Sequence, residues 1–343
     1  MGALRSKIVL PGGAGFLGQV LAEWFTSAGH DVVVLTRRPQ AYSGCGRAVA
    51  WDGRQLADWW HELDGALAVV NLAGRSVNCR YHARNRDLMM RSRVEPTRVL
   101  GEAIARCATP PRVWLNSSTA TIYKHSFDRP MDEATGVIGG TPEVKDEFSI
   151  EVATAWEKVF DEAVTPRTRK VALRTAMVFS NTPGTVYRVL RRLVRLGLGG
   201  PMAGGGQYVS WIHERDFCRA VEWLIEHEDF TGPVNLAAPR PLTNRAMMHV
   251  IRQACHVRFG LPATRTMLEM GAFFLRTETE LIIKSRRVVP GRLSDAGFTF
   301  EFNTLAEAVG ELEGRKHRIA GRVYSHASRR AGDVKIRLPQ TTP

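Results

Sequence analysis

Apolar residues change their spacing several times along the chain, and each change marks an element. Ile8, Val9 and Leu10 make a short continuous apolar run that leads straight into Gly12, Gly15 and Gly18. From Gln19 to Ser27, Val20, Leu21, Trp24 and Phe25 keep a 3.6-residue period, which predicts a helix with one buried face. Asp31 to Thr36 (DVVVLT) predicts a second strand, Arg47 to Trp51 a short third one, and Ala66 to Leu72 (ALAVVNL) a fourth that is buried on both faces. Ala83 to Arg106 reads as helical, with Pro96 marking a break or the start of a second helix. Arg112 to Asn116 predicts strand five, Phe148 to Ala163 a helix with Trp156 and Phe160 at spacing four, Lys170 to Phe179 strand six, and Gly232 to Ala237 strand seven. Between the last two strands lie a basic amphipathic helix, a glycine-rich loop (Gly197 to Gly206), the segment Val209 to Asp216, and a helix from Phe217 to Glu226. Strands alternating with helices at this rhythm predict an α/β fold built on a doubly wound, mainly parallel sheet.

Beyond Pro239 the rhythm changes. Thr243 is placed to cap a helix reaching His256, Thr266 to Arg276 reads as a second apolar helix, Phe298, Phe300 and Phe302 alternate as a small strand, and Leu305 to Leu312 closes the pattern as a helix. The expected organisation is therefore residues 1–239 as the main α/β domain, 240–313 as a smaller lobe closing over its cleft on the substrate side, and 314–343 as a basic tail.

Composition narrows the class. With 343 residues, 44% hydrophobic and 24% charged, the chain can bury a sizeable core as a soluble globular protein. No apolar run spans a bilayer and no secretory leader pattern opens the chain, so no membrane association is expected. Met1, Gly2 and Ser6 match the loose acylation pattern, but strand one begins almost at once and lipidation is not expected. The five cysteines (45, 79, 107, 218, 255) are odd in number and form no C-x-x-C pair, which points to reduced thiols and a cytoplasmic setting. The ten histidines show no metal-binding spacing, so no metal is predicted. The net charge of +13 is concentrated: residues 315–343 carry eight basic side chains against Asp333 alone. Such a tail reads as solvated chain, and nucleic-acid binding is not expected of it. Arg188, Arg191, Arg192 and Arg195, interleaved with Val189, Leu190, Leu193 and Val194, give one helix a basic face.

The glycine turn carries the first chemistry. A strand entering such a turn ahead of a helix allows backbone angles that a side chain would forbid, and brings main-chain amides against a pyrophosphate on the helix N-terminus. The implied ligand is a dinucleotide. Thr36, Arg37 and Arg38 end the second strand, where such folds read the ribose. An acidic residue there would repel a 2′-phosphate, whereas a guanidinium pairs with it, so the cofactor expected is NADP. Strand four ends in Asn71, Leu72, Ala73 and Gly74, its run into small residues leaving room for the cofactor, and strand five delivers the hydroxyl-rich Ser117 to Tyr123.

GGAGFLG (12–18), NLAG (71–74) and SSTATIY (117–123) resemble the extended short-chain dehydrogenase/reductases of the NAD(P)-dependent epimerase/dehydratase superfamily. SRVEPTRVL (92–100), GGGQYVSWIHERD (204–216) and the stretch from Val288 to Leu312 are similar to its atypical branch of epimerase family proteins, which carries a small C-terminal domain of unknown function. The resemblance covers Lys7 to about Leu312. It implies a Rossmann-type fold and NADP(H) binding by Gly12, Gly15, Phe16, Leu17, Gly18, Thr36, Arg37, Leu72 and Ala73, with Arg93 as a further contact. It also implies an oxidoreductase or epimerase acting on a small carbonyl or alcohol, in which Thr119 polarises the substrate oxygen.

In the superfamily a Tyr followed four residues later by Lys moves the proton, because the ammonium lowers the phenol pKa. Here no Tyr has that Lys, and FSIEVATAWE places Ser149 and Ala153 at the two positions. Tyr123 is then the substitute acid/base, with Lys124 or Lys145 as the source of charge. Val209 stands where nucleotide-sugar epimerases clamp a pyrophosphate with Arg, which argues against a nucleotide-sugar substrate. Trp211 and His213 are either pocket or framework residues, and Asp216 is placed to cap the following helix. The alternative to turnover is a catalytically silent NADP(H)-binding sensor or scaffold. A homodimer through helices near 83–106 and 148–163 is a further expectation of the resemblance.

Overall fold

Alternating side chains along the central strands face two different helical layers. The computed structural model of the protein describes residues 6–275 and 278–314, without the side chains of 271–275 and 281. The strands in chain order are β1 (Lys7–Pro11), β2 (Asp31–Thr36), β3 (Arg47–Ala50), β4 (Ala68–Asn71), β5 (Val113–Thr119), β6 (Arg169–Thr175), β7 (Met177–Phe179), β8 (Tyr208–Val209), β9 (Trp211–His213), β10 (Gly232–Leu236) and β11 (Leu242–Thr243). Seven form one sheet in the order β10-β6-β5-β4-β1-β2-β3, and every pairing within it is parallel. The chain reverses its direction of winding between β1 and β4, and that point is where an open α/β sheet leaves a crevice at the carboxyl ends of its strands.

The helices are α1 (Phe16–Ser27), α2 (Ala83–Arg106), α3 (Glu147–Glu162), α4 (Val186–Arg195), α5 (Glu214–Glu226), α6 (Asn244–Ala254), α7 (Arg265–Leu275), α8 (Glu280–Ile283), α9 (Gly291–Asp295) and α10 (Leu305–Gly314). Ile8, Leu10, Val32 and Val34 pack on Leu21 and Phe25 of α1 and on Phe217 and Leu224 of α5. Val9, Val33, Val69 and Trp114, on the opposite pleat, pack on Leu100 and Ile104 of α2 and Phe160 of α3. Burial on both faces is the physical reason these strands read as unbroken apolar runs. A third core joins Phe179, Tyr187 and Trp211 to Met248 and Ile251 of α6 and to Val309 and Leu312 of α10. Residues after Pro239 therefore share their core with β7, α4 and β9.

Four local expectations are corrected. Helix α2 runs unbroken through Pro96. The lost backbone hydrogen bond is offset because Val99, Leu100 and Ile104 anchor the helix on the sheet and the Pro96 ring packs against Gly53. The predicted sixth strand is two: β6 stops at Thr175, and β7 leaves the sheet to pair with β9, carrying Phe179 into the third core. The alternating Phe298, Phe300 and Phe302 form no strand, because the Glu301 and Phe302 amides donate to the Asp216 carboxylate at 2.8 and 2.9 Å. Asp216 is thereby occupied, and His213 caps α5 instead, its Nδ1 accepting from the Arg215 amide at 3.1 Å. Thr243 caps α6 as expected, its Oγ1 accepting from the Ala246 amide.

Among the described residues no helix is long and apolar enough to cross a membrane. No group of three or more His, Cys, Asp or Glu side chains is arranged to hold a metal ion among those residues. The basic tail lies outside them.

Candidate functional site

Backbone crowding makes the glycine turn obligatory. Gly12 has φ +73°, and a Cβ there would lie 2.7 Å from the Ala73 backbone. A Cβ on Gly18 would stand 2.3 Å from Gly13 Cα, so α1 is pressed against the turn with no room for a side chain. Gly15 is the N-cap of α1 and supplies no side-chain cap, and the first turn contains no acidic residue. The opening amides of α1 thus keep their hydrogens for an external anion, on the positive end of the helix dipole.

Opposite this turn, a buried polar network holds the ends of β4 and β5. Asn71 Nδ2 donates to Asn116 Oδ1 at 2.6 Å and to Thr97 Oγ1 at 3.2 Å, while Asn71 Oδ1 accepts from the Ala73 amide. Trp156 Nε1 donates to the same Thr97 hydroxyl, tying α2 to α3. The result is a cleft of about 670 Å³ running from Gly12, Gly15, Phe16, Leu17 and Gly18, past Leu72 and Arg93, to Ser117, Ser118 and Thr119. Arg93 donates to the Met89 and Arg75 carbonyls and lies over the Trp156 ring, and burial lowers its pKa from the usual arginine value.

Ala73 is buried directly behind Gly12. Thr36 and Arg37 stand at the end of β2, beside the turn rather than on the cleft wall; the Gly12 amide donates to Leu35 O at 2.9 Å. Thr36 is buried and Arg37 exposed, with no ion pair to Arg37 among the described residues. Thr119 Oγ1 accepts from the Thr121 amide at 3.1 Å, which leaves the hydroxyl hydrogen available to a ligand. Ser118 is committed elsewhere, donating to Glu157 Oε1 at 2.5 Å.

The structure does not bring Tyr123 to the cleft. Its ring is 2% exposed; its Oη donates to Asn235 Oδ1 at 3.0 Å and accepts from Arg174 Nη1 at 2.9 Å. Arg174 in turn makes a two-pronged pair with Glu157, at 2.9 and 2.7 Å. The cation beside this phenol is therefore Arg174, and neither Lys124 nor Lys145 is its partner. Burial raises the Tyr123 pKa despite the Arg174 charge. Ser149 and Ala153 do lie on the cleft wall. Trp211 and His213 are buried framework, and Val209 pairs with Leu242 away from the cleft. On α4, Arg191 and Arg195 pair with Glu313 at 2.5 and 3.3 Å, so part of the basic face is neutralised within the fold.

Other groups at the site gave no signal in the sequence. Tyr81, on the wall, sits in a polar stretch without periodicity. Behind the wall, Lys284 and Asp146 form a fully buried ion pair at 2.5 Å, Lys284 also donating to Thr121 O, and Arg286 Nε donates to Thr121 Oγ1 at 3.2 Å. Glu280 is buried beside them. Residues after Pro239 thus reach the site from behind, and none of them lines the cleft among the described residues.

Residues 8–237 match the NAD dependent epimerase/dehydratase family, and 265–312 match a domain of unknown function, DUF1731. The chain belongs to the NAD dependent epimerase/dehydratase family. It is 30% identical to the epimerase family protein Mb2239 of Mycobacterium bovis over 307 residues, spanning 89% of this chain and 97% of that protein. It is 28% identical to human epimerase family protein SDR39U1, spanning 89% and 99%. Among solved structures, that of human SDR39U1 (isoform 2) with NADPH superposes with a TM-score of 0.78 at 26% identity, covering 90% of this chain and 99% of that one. A nucleoside-diphosphate sugar epimerase from Corynebacterium glutamicum gives 0.70 at 25% identity, covering 91% and 59%. The family assignment agrees with a doubly wound sheet whose crevice opens beside the glycine turn.

Proposed function

We propose that the protein binds NADP(H) and uses it to interconvert a small carbonyl compound and its alcohol. The observation that carries this reading is the conjunction of the side-chain-free turn at Gly12 to Gly18, the uncapped N-terminus of α1, and a single cleft leading from them to the Thr119 hydroxyl. The turn fits a pyrophosphate, and the exposed Arg37 guanidinium fits a 2′-phosphate. The likeness to SDR39U1, solved with NADPH, supports the same cofactor. When bound, the nicotinamide supplies or accepts the hydride. Thr119 orients the substrate oxygen by donating its hydroxyl hydrogen, and Leu72 lines the cleft while Ala73 backs the Gly12 turn. A reduced, cytoplasmic setting accords with the five free thiols.

The test is a titration of the purified chain with NADPH and NADH, followed by single-turnover mixing of bound NADPH with small carbonyls. Arg37→Ala is expected to weaken NADPH binding by about 10-fold or more, the contribution of one charge-assisted hydrogen bond, and to leave NADH binding unchanged. Equal affinity of the intact chain for both cofactors would refute the role of Arg37. Ala153, at the position where the superfamily holds its Lys, favours a second reading, a cofactor-binding sensor. That reading predicts tight NADPH binding with no oxidation by any carbonyl offered.

A further inference from the structure

Each polar group of Thr121 is engaged, and two of the bonds come from residues after Pro239. Its carbonyl accepts from Lys284 Nζ at 2.7 Å and its Oγ1 accepts from Arg286 Nε at 3.2 Å, while its amide donates to Thr119 Oγ1 at 3.1 Å. The Lys284 charge is already compensated by Asp146. The short stretch that carries both cations is fixed on two sides. The Ser285 amide donates to His125 Nδ1 at 2.8 Å and its hydroxyl to Ser126 O at 2.7 Å, and the Arg286 amide donates to Tyr208 O at 2.8 Å. Thr121 itself is half-buried and lines the same cleft as Thr119.

A threonine hydroxyl has one hydrogen to give and two lone pairs to accept with. Elsewhere on this wall the hydrogen is spent inside the protein: Ser118 donates to Glu157, Thr175 to Leu173 O and Thr185 to Ser180 O. Thr121, like Thr119, accepts, and its own hydroxyl hydrogen meets no acceptor among the described residues. The group it accepts from is a guanidinium. Desolvation lowers the Arg286 pKa from the usual arginine value, yet a guanidinium keeps its proton in a protein. Accepting from a cation draws electron density from the Thr121 oxygen and makes its O–H a stronger donor.

Resting on the carbonyl-reduction reading above, we propose that Thr121 is a second hydrogen-bond donor to the substrate oxygen, and that Arg286 is a positioning residue whose charge acts through it. Thr119 and Thr121 together cradle the charge that develops on that oxygen. The hydride adds to the carbonyl carbon and the C=O π pair moves to oxygen. The alkoxide, held by the two hydroxyls, takes a proton from a water molecule entering by the open cleft, so the products are the alcohol, the oxidised dinucleotide and hydroxide. No phenol takes part, and no side chain changes its protonation state. Such donors act most strongly on the alkoxide, whose oxygen carries the full charge. Where Ala153 leaves α3 without a cation, positive charge reaches the reacting oxygen from the C-terminal segment, one hydroxyl removed.

The experiment compares the full chain with Thr121→Val, Thr121→Ser, Arg286→Met and the double variant Thr121→Val with Arg286→Met. Each is loaded with NADPH and mixed with small aldehydes and ketones in single turnover. Each is also loaded with NADP⁺, where no hydride can pass, and the carbonyl stretch of the same compounds, isotope-labelled at the carbonyl carbon, is read by infrared difference spectroscopy. Thr121→Val is expected to lower the rate by about 10²–10³-fold at unchanged NADPH affinity, and to move the stretch toward its value in an apolar solvent. Thr121→Ser, which keeps the hydroxyl, is expected to restore both. Arg286→Met is expected to cost about 10-fold when Thr121 is present and nothing further beside Thr121→Val, because its effect passes through that hydroxyl. A purely structural Arg286 would cost the same factor in both backgrounds, and that result overturns its role. A wild-type rate or an unmoved stretch in Thr121→Val overturns the donor. A wild type that binds these compounds and lowers their stretch but oxidises no NADPH overturns the carbonyl-reduction reading and supports the Thr121 contact; one that binds none of them overturns both.

Discussion

Tyr123→Phe separates a structural phenol from a catalytic one. The substitution keeps the ring and removes one oxygen, which donates to Asn235 Oδ1 at 3.0 Å and accepts from Arg174 Nη1 at 2.9 Å. Both partners are buried away from bulk solvent. Losing a hydrogen bond to a charged donor costs about 1.5–3 kcal/mol and a neutral one about 0.5–1.5, so the sum is about 2–4 kcal/mol. The Arg174 charge stays compensated through its two bonds to Glu157, which keeps the loss from approaching that of an unpaired buried ion. Unfolding entropy of about 2.1 cal/mol/K per residue, over a chain of this length, converts the loss into a melting temperature lower by ~3–6 °C. The assay is thermal unfolding without cofactor, with NADPH affinity and single-turnover oxidation measured on the same preparation. Affinity and turnover are expected to be unchanged. An unaltered melting temperature together with lost turnover would refute the argument, since it would mean that the Tyr123 oxygen acts on substrate.

Three further outcomes follow from other parts of the fold. Gly18→Ala forces a Cβ into the Gly13 backbone, so stabilisation of the folded chain by NADPH in a thermal-shift assay is expected to disappear; a normal shift would show that the turn can give. Lys284→Met leaves the fully buried Asp146 carboxylate without its cation, and urea unfolding is expected to show a loss of about 3–5 kcal/mol; an unchanged midpoint would contradict this. Burial holds the Glu280 carboxyl above its ordinary value, partly opposed by the Ser149 hydrogen bond and the Arg286 and Lys284 charges. The folded state then keeps a proton that the unfolded chain has released, so this group favours folding at low pH and its contribution is lost as pH rises through the raised pKa. Glu280→Gln is expected to remove that decline from the pH profile of urea midpoints, and superimposable profiles would count against it.

The sequence by itself determined the sheet and the cofactor turn, because both rest on interactions local in the chain. Runs such as DVVVLT and ALAVVNL can satisfy burial on both faces only inside a parallel sheet, and glycines at 12, 15 and 18 between a strand and a helix leave few alternatives to a ligand-bearing turn. Capping by Thr243 was legible for the same reason, its partner being three residues away. Groups brought together by the tertiary structure were not. The pairs Asp146 with Lys284, Tyr123 with Arg174 and Asn235, and Asp216 with the 301–302 backbone link separate elements, and no periodicity records such pairings. Nor could spacing decide that Pro96 would be carried inside α2 or that β7 would leave the sheet, since packing against distant side chains outweighs local preference in both. Which of two tyrosines faces the cleft was settled the same way: Tyr123 lies beside the expected hydroxyls in sequence, yet packing turns its oxygen into the core and leaves Tyr81 on the wall.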